Sequence, residues 1–201
     1  EGRKYFKLPE VVLKMEQNKW LGDKTNQGFY KKTKNTKGET EILTLDLNTL
    51  EYNPKAKTKF ATLESTKSID NLKQRFKVLL GGKDNAGEFY RDSFFGLFQY
   101  VSNRIPEIAD ELFKIDDAVC AVFGWDLGPF ETWDAVNAEE TLSAMELAGY
   151  KPNPWVYEMI SSGNKSFYKI ENGQRKYYDI PSRSYKNIPG KEEFIILENL
   201  K

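Results

Sequence analysis

Histidine is absent from all 201 residues, and cysteine occurs once, at Cys120. The first absence removes the commonest general base near neutral pH and the commonest nitrogen ligand for zinc. Histidine-dependent catalysis within the chain is therefore excluded. With one thiol and no imidazole, a clustered transition-metal site is excluded as well, and no loop carries the carboxylate spacing of an oxygen-ligated one. A lone cysteine cannot close an internal disulfide; set in the apolar run 118–123, Cys120 is expected to be a small buried hydrophobe in a reducing, cytoplasmic setting. Charge of one sign is lacking too, since 30 basic and 30 acidic residues cancel to a formal net charge of +0. That balance argues against nucleic acid or an anionic membrane as a partner. No run approaches the length of a membrane-spanning helix, and Glu1-Gly2-Arg3-Lys4 leads into no signal-peptide core. Glycine is present, but Gly81, Gly82 and Gly87 lack the first spacing of G-x-G-x-x-G, and no P-loop occurs. Catalytic, cofactor-binding and metal-binding residues are thus all expected to be absent from the chain itself. A start without Met on a charged segment leads to the expectation of a piece cut from a longer polypeptide.

What is present is a core-forming composition, 39% hydrophobic and 14% aromatic. It suffices for one good-sized domain or two small ones. Val11, Val12, Met15 and Trp20 follow Pro9 near helical spacing, and a turn-rich loop leads to a short strand at Phe29-Tyr30-Lys31-Lys32. Ile42, Leu43, Leu45 and Leu47 form a second apolar strand-like run closed by Asn53-Pro54, and Lys55, Lys57 and Lys59 read as a solvated linker in preference to a phosphate site. Ser68 is expected to cap a helix running to Leu80 and stopped by Gly81-Gly82. From Asp84 a long helix carries Phe89, Phe94, Phe95, Leu97, Phe98, Val101, Ile105 and Ile108, a set too dense for a surface helix, with a kink expected at Pro106. Further helices are expected over 115–123, from Pro129 with Glu131 in its first turn, over 138–148, and from Pro154 through Met159. The last forty residues turn Tyr-rich. Asn172-Gly173 between two alternating runs predicts a hairpin with a two-residue type I′ turn, and Phe194-Ile195-Ile196-Leu197 reads as one more strand or an extended linker.

One order of features occurs twice. Pro9 to Met15 is followed by a Lys/Gly loop and Phe29-Tyr30-Lys31; Pro154 to Met159 is followed by a shorter loop and Phe167-Tyr168-Lys169. Coincidence between short, common pieces and an internal duplication both account for this pattern. Duplication would leave the first copy without its front half.

The segment Ile115-Asp116-Asp117-Ala118-Val119-Cys120-Ala121-Val122-Phe123-Gly124-Trp125-Asp126-Leu127-Gly128-Pro129-Phe130-Glu131 resembles the signature I-D-x-A-M-x-x-G-F-G-x-x-x-G-P-F-E of the 3-hydroxyacyl-CoA dehydrogenase C-terminal domain family. The run Trp20 to Tyr30 resembles L-G-x-K-T-G-x-G-F-Y, which ends the same domain, with Asn26 in place of the usual Gly. Two such motifs in reversed order imply tandem C-terminal repeats of a long, bifunctional bacterial-type enzyme. The implied fold is mainly α, a helical domain of that C-terminal type with small β-hairpin additions. The implied layout is 1–32 as the tail of a first repeat and 33–83 as a connector with a small β element and one helix. A second, degenerate repeat would occupy 84–180, and 181–201 would be a linker to a following domain. The stretch from Ile188 to Leu197 resembles the linker that precedes an enoyl-CoA hydratase domain.

The resemblance implies an NAD-dependent oxidation of L-3-hydroxyacyl-CoA in the parent enzyme of fatty-acid β-oxidation. The catalytic His, its Glu partner and the NAD-binding glycines would lie in an upstream Rossmann domain. The family's V-N-R Asn, associated with the substrate carbonyl, would fall at Tyr90-Arg91-Asp92, where no Asn stands; Asn103-Arg104 lies too close to Asp116 to replace it. The chain is therefore expected to be a non-catalytic segment, inactive alone and binding no NAD. Its partners would be the Rossmann domain and first repeat of the same polypeptide, with acyl-CoA as substrate of the parent. Gly128, Pro129, Phe130, Glu131 and Trp133 form a candidate interface or acyl-pocket surface; as local chemistry they read first as a helix start whose two aromatics, Phe130 and Trp133, enter the core. The competing reading is a freestanding helical protein-interaction module with no enzymatic role.

Overall fold

A computed structural model describes residues 7–190 and divides into two compact units, one ending at Thr58 and the other beginning at Lys59. In unit 1, α1 (Glu10–Gln17) is followed by a 3-10 turn, Asp23–Thr25, and by the antiparallel strands β1 (Tyr30–Lys34), β2 (Thr40–Leu45) and β3 (Tyr52–Pro54) in the order β1-β2-β3. Helix α1 stops before Trp20 because Lys19 turns left-handed at φ 59°, letting the Trp20 amide donate to Met15 O at 2.8 Å. Asn26 also lies at positive φ, 55°. Asn is among the few non-Gly residues that visit this region, which accounts for its standing where the resembled motif carries Gly. The apolar run of β2 ends at Leu45, which with Met15 is one of two buried hydrophobic residues among those described in this unit, while Leu47 is exposed in the turn that Asp46 closes by accepting from the Asn48 and Thr49 amides. Asn53-Pro54, expected to close the second strand, instead belongs to a third.

Unit 2 is mainly helical. It comprises α2 (Ala61–Thr66), α3 (Leu72–Gly81), α4 (Asn85–Ser102), α5 (Leu112–Phe123), α6 (Pro129–Ala135), α7 (Ala138–Leu147) and α8 (Pro154–Ser161), then β4 (Tyr168–Glu171), β5 (Gln174–Asp179) and β6 (Ser184–Asn187). The cap of α3 is Asn71, accepting from Gln74 N at 3.0 Å, rather than Ser68, and α2 precedes it in the stretch 33–83, where one helix was expected; Lys55, Lys57 and Lys59 are exposed in the irregular stretch ahead of α2. Asp84 caps α4 by accepting from Gly87 N at 3.0 Å. This helix ends at Ser102, so Pro106 lies beyond it and kinks nothing, and its Phe89 and the more distant Ile108 are exposed. The inward set is Phe95, Phe98 and Val101; Phe98 stacks on Trp133 with centroids 4.8 Å apart.

The second sheet runs β4-β5-β6, and its Asn172-Gly173 turn has φ 55° and 74°, both positive as a type I′ turn requires, with Glu171 paired to Gln174 across it. Residues 181–188, expected to begin a linker, are part of the fold: β6 pairs with β5 and Ile188 is buried in the core. The expected strand at Phe194-Ile195-Ile196-Leu197 lies outside the described residues.

The feature order that recurs in the sequence recurs in the backbone. Shifted by 144 residues, the three amides that end α1 (Asn18, Lys19, Trp20) and those that end α8 (Ser162, Gly163, Asn164) donate to equivalent carbonyls, the last pair to Met15 and Met159. Each helix leads into a three-stranded antiparallel meander. In the meanders Leu45 N donates to Phe29 O at 2.9 Å and Tyr178 N to Phe167 O at 2.8 Å. Tyr52 Oη donates to Gly28 O and Tyr185 Oη to Ser166 O, each at 2.5 Å. The ammonium of Lys31 lies over the Tyr52 ring and that of Lys169 over the Tyr185 ring, 5.4 and 4.5 Å from the centroids.

Candidate functional site

The resembled signature folds into a single network around the start of α6. That helix opens with Gly128-Pro129, so its N-cap residue has no side chain and its first turn needs an acceptor from elsewhere. Asp116 of α5 supplies it. Leu112, Phe113 and Asp116 share the inward face of α5, and the Asp116 carboxylate accepts from Phe130 N at 2.9 Å, Glu131 N at 3.0 Å and Tyr168 Oη at 2.8 Å. Gly128 is required for this approach: a Cβ there would stand 2.5 Å from Asp116 Cα. Glu131 closes the other half of the cap, accepting from Gly128 N at 2.7 Å through one oxygen and pairing with Arg175 at 2.5 Å through the other. The Arg175 guanidinium lies 4.0 Å from the centroid of the Tyr168 ring. Asp134, also on α6, accepts from the Phe167 and Tyr168 amides at 2.8 and 2.9 Å.

These contacts tie β4 to α5 and α6, and they floor a cleft of about 630 Å3 whose rim includes Lys73 and Lys77 of α3 and Lys169 of β4. Burial pushes the Asp116 carboxyl up to about 7 against the three donors that favour its anion, with Glu131 adding to the rise. Burial likewise raises Asp134 to about 7, opposed by its two amide donors. Tyr168 is held well above the usual phenol range by burial and by the neighbouring Asp116. The polar atoms of this network thus face one another and the chain's own backbone, an arrangement that fixes a hairpin onto a helix pair.

Of the five candidate interface residues, Gly128, Pro129, Phe130 and Trp133 are buried inside unit 2, and only Glu131 lines the cleft. An interface or acyl-pocket surface has to be reachable, so for these four the burial supports the core reading: Phe130 and Trp133 pack on Phe167 with centroids 5.1 and 4.9 Å away. Cys120 is half-buried rather than buried, and burial pushes its thiol up, away from the reactive thiolate. Arg91, at the position where the resemblance looks for an Asn, donates to Leu80 O at 2.9 Å and to Gly82 O, closing the end of α3. Gly82 and Gly87 are likewise used internally, since a Cβ on Gly82 would meet the Thr62 side chain and one on Gly87 the Gly82 backbone. They pack α2, α3 and α4 closely, and these two glycines offer no cradle for a dinucleotide. Among the described residues no group of three or more His, Cys, Asp or Glu side chains could hold a metal ion.

Sequence reasoning passed over Asp116, Asp134, Tyr168 and Arg175. Asp116 had a readable signal, an acid on the apolar face of a helix followed by a Gly-Pro helix start with no capping side chain of its own.

Comparison with known proteins finds relatives among fatty-acid oxidation enzymes. No family model matches the chain, and no solved structure does. It is 35% identical over all 201 residues to a protein of Bacillus subtilis (strain 168) named as a probable 3-hydroxyacyl-CoA dehydrogenase, and covers 25% of that protein. It is 26% identical over 204 aligned residues to a fatty acid oxidation complex trifunctional enzyme of Rickettsia felis, with 97% of the chain and 24% of the relative aligned. A protein of the same description from Rickettsia prowazekii is 24% identical over 123 residues, 61% of the chain and 15% of the relative. By sequence the chain is similar over its whole length to a probable 3-hydroxyacyl-CoA dehydrogenase, and it spans about a quarter of the length of the first two of these relatives.

Proposed function

We propose that the chain is a non-catalytic C-terminal segment of an NAD-dependent L-3-hydroxyacyl-CoA dehydrogenase of fatty-acid β-oxidation, acting by packing to complete the substrate and domain interface. The observation that carries this is the pairing of similarity over the whole chain to a quarter of a probable dehydrogenase with the absence of histidine. In this reading residues 1–32 end a first C-terminal repeat, 84–180 form the body of a second, and cofactor and catalytic His belong to an upstream Rossmann domain. The setting is cytoplasmic; no helix among the described residues is long and apolar enough to cross a membrane. The recurrence of the helix and meander supports the tandem arrangement.

The test uses the long polypeptide that contains this chain, assayed with acetoacetyl-CoA and NADH, beside the 201-residue chain alone. Turnover is expected from the former and none from the latter, and calorimetric titration of the chain with NADH should give no saturable heat. Saturable micromolar binding by the chain, or a long polypeptide inert toward acetoacetyl-CoA, would overturn the reading.

A second reading, a freestanding helical interaction module, draws on the outer face of α5, where Val122 and Phe123 are 74% and 69% exposed. Upstream coding sequence separates the two, because only the first requires a nucleotide-binding fingerprint there.

A further inference from the structure

We infer that Val11, Val12, Phe29 and Tyr30 of unit 1 form a docking face for a helix pair of the α5–α6 kind, supplied by the longer polypeptide. The source of the occupant rests on the proposed function; the face and its chemistry rest on the molecule alone.

Unit 2 holds the same module with its face covered. By the shared backbone hydrogen bonds, Val11, Val12 and Met15 correspond to Trp155, Val156 and Met159, and Phe29 and Tyr30 to Phe167 and Tyr168. Met15 and Met159 are both buried, so the inner side of each module is closed. The outer sides differ. Phe167 is 0% exposed and Phe29 47%. Trp155 and Val156 are buried, whereas Val11 and Val12 are only half-buried.

What covers Phe167 is specific. Phe130 and Trp133, three apart on α6, pack on its ring, and Asp134 accepts from its amide and from that of Tyr168. Asp116 on α5 accepts the Tyr168 hydroxyl. The equivalent donors are present in unit 1, and among the described residues none accepts from the Phe29 amide. The occupant is therefore two helices offering an aromatic pair three apart, a carboxylate directly after the second aromatic, and a second carboxylate at the reach of a Tyr hydroxyl. A second copy of this chain does not supply it, because its own Phe167 and Tyr168 already fill that helix pair.

Amide hydrogen exchange at Phe29 and Tyr30 in the 201-residue chain and in the long polypeptide decides the matter, with Phe167 and Tyr168 as internal standards. Exchange at the first pair should be fast in the short chain and slower on the order of a hundredfold in the long one, while the second pair is slow in both. Phe29→Asp should lower the melting temperature of the long polypeptide and leave that of the short chain unchanged. Equally fast exchange in both proteins would overturn the inference, as would slow exchange in the short chain at every concentration. Slowing that appears only as the short chain is concentrated would overturn it in favour of a second copy. The same long polypeptide assayed with acetoacetyl-CoA separates the two ideas: loss of the dehydrogenase reading leaves the exchange result interpretable, and fast exchange in an active enzyme sinks the docking face alone.

Discussion

Phe29 and Phe167 enter their meanders one residue before the first strand, accept the same backbone hydrogen bond from the second, and end as an exposed ring and a core ring. The local sequence builds the same backbone twice: an eight-residue helix, a left-handed residue two positions past its end, and a three-stranded antiparallel sheet. Whether an aromatic side chain on that backbone becomes core depends on what lies across from it. In unit 2 the opposite wall is α6, whose start is fixed by a carboxylate from α5. The Gly-Pro-Phe-Glu signature is thus legible as mechanics: a glycine that admits Asp116, a proline that pre-sets the first turn, a buried ring and a capping glutamate.

The comparison breaks most sharply at the ring itself. In the 201-residue chain, Phe167→Ala should cost about 3–5 kcal/mol, the usual range for emptying a fully buried aromatic site. Phe29→Ala should stay within about 0.5 kcal/mol, as surface changes do. Urea unfolding followed by tryptophan fluorescence measures both. Comparable losses in the two variants would mean that the modules are equally covered.

Next in size is Asp116. Alanine there strips the acceptor from two amides at a buried helix start and from the Tyr168 hydroxyl, and about 2–4 kcal/mol should be lost, since each buried donor left unpaired costs about 1–3 kcal/mol. Asn at 116 retains an acceptor and should recover part of the loss. Gly128→Ala should fail by a different route, overlap with Asp116, and cost about 1–3 kcal/mol. A neutral Gly128→Ala would show that the two helices can separate without penalty.

The pH profile comes next. Asp116 and Asp134 are both raised to about 7 in the folded chain, from an unfolded value near 3.9. The groups facing them are Glu131, Arg175 and Tyr168. Between about pH 4 and 7 the folded state binds more protons than the unfolded state, so the contribution is complete below about pH 4 and is lost as pH rises through about 7. Stability should therefore fall as pH rises from about 4 to about 7 and level off above it. The lowered carboxyl of Asp84, at about 2, titrates outside this interval and leaves the slope alone. Denaturation midpoints across the interval measure it, and Asp134→Asn should flatten the profile; an unchanged slope in that variant would contradict the assignment.

Periodicity and turn chemistry made much of this visible in the sequence. The Asn-Gly hairpin, the Pro129 and Pro154 helix starts and the inward set of α4 around Phe98 all follow from local rules, because there the residue and its own backbone decide. The third strands β3 and β6 were passed over because short, polar, Tyr-bearing segments acquire strand character only from the neighbour they pair with. Ser68 lost to Asn71 as a cap because several candidates precede one apolar run, and the Arg75 guanidinium takes up the Ile69 carbonyl ahead of the helix. The anchoring network was hidden for the same reason. Asp116 and Tyr168 are 52 residues apart, and their hydrogen bond is a property of the packing of α5 on β4.

The smallest expected effect is at Glu131, and it separates a structural role from a chemical one. Both carboxylate oxygens are engaged, one by the Gly128 amide and the other by Arg175, and the pair is partly open to solvent at the cleft. Glu131→Gln keeps the acceptor that caps α6 and removes only the charge that meets the guanidinium. A partly exposed ion pair contributes about 0.2–1 kcal/mol, so the 201-residue chain should lose no more than about 1 kcal/mol. Arg175 would retain its place over the Tyr168 ring. In the long polypeptide, turnover with acetoacetyl-CoA should stay within a few-fold of wild type, because the residue touches only its own fold. A loss of about 10²-fold or more, as expected for removing a general acid or base, with unfolding unchanged, would instead make the cleft above α6 an active site and Glu131 its acid.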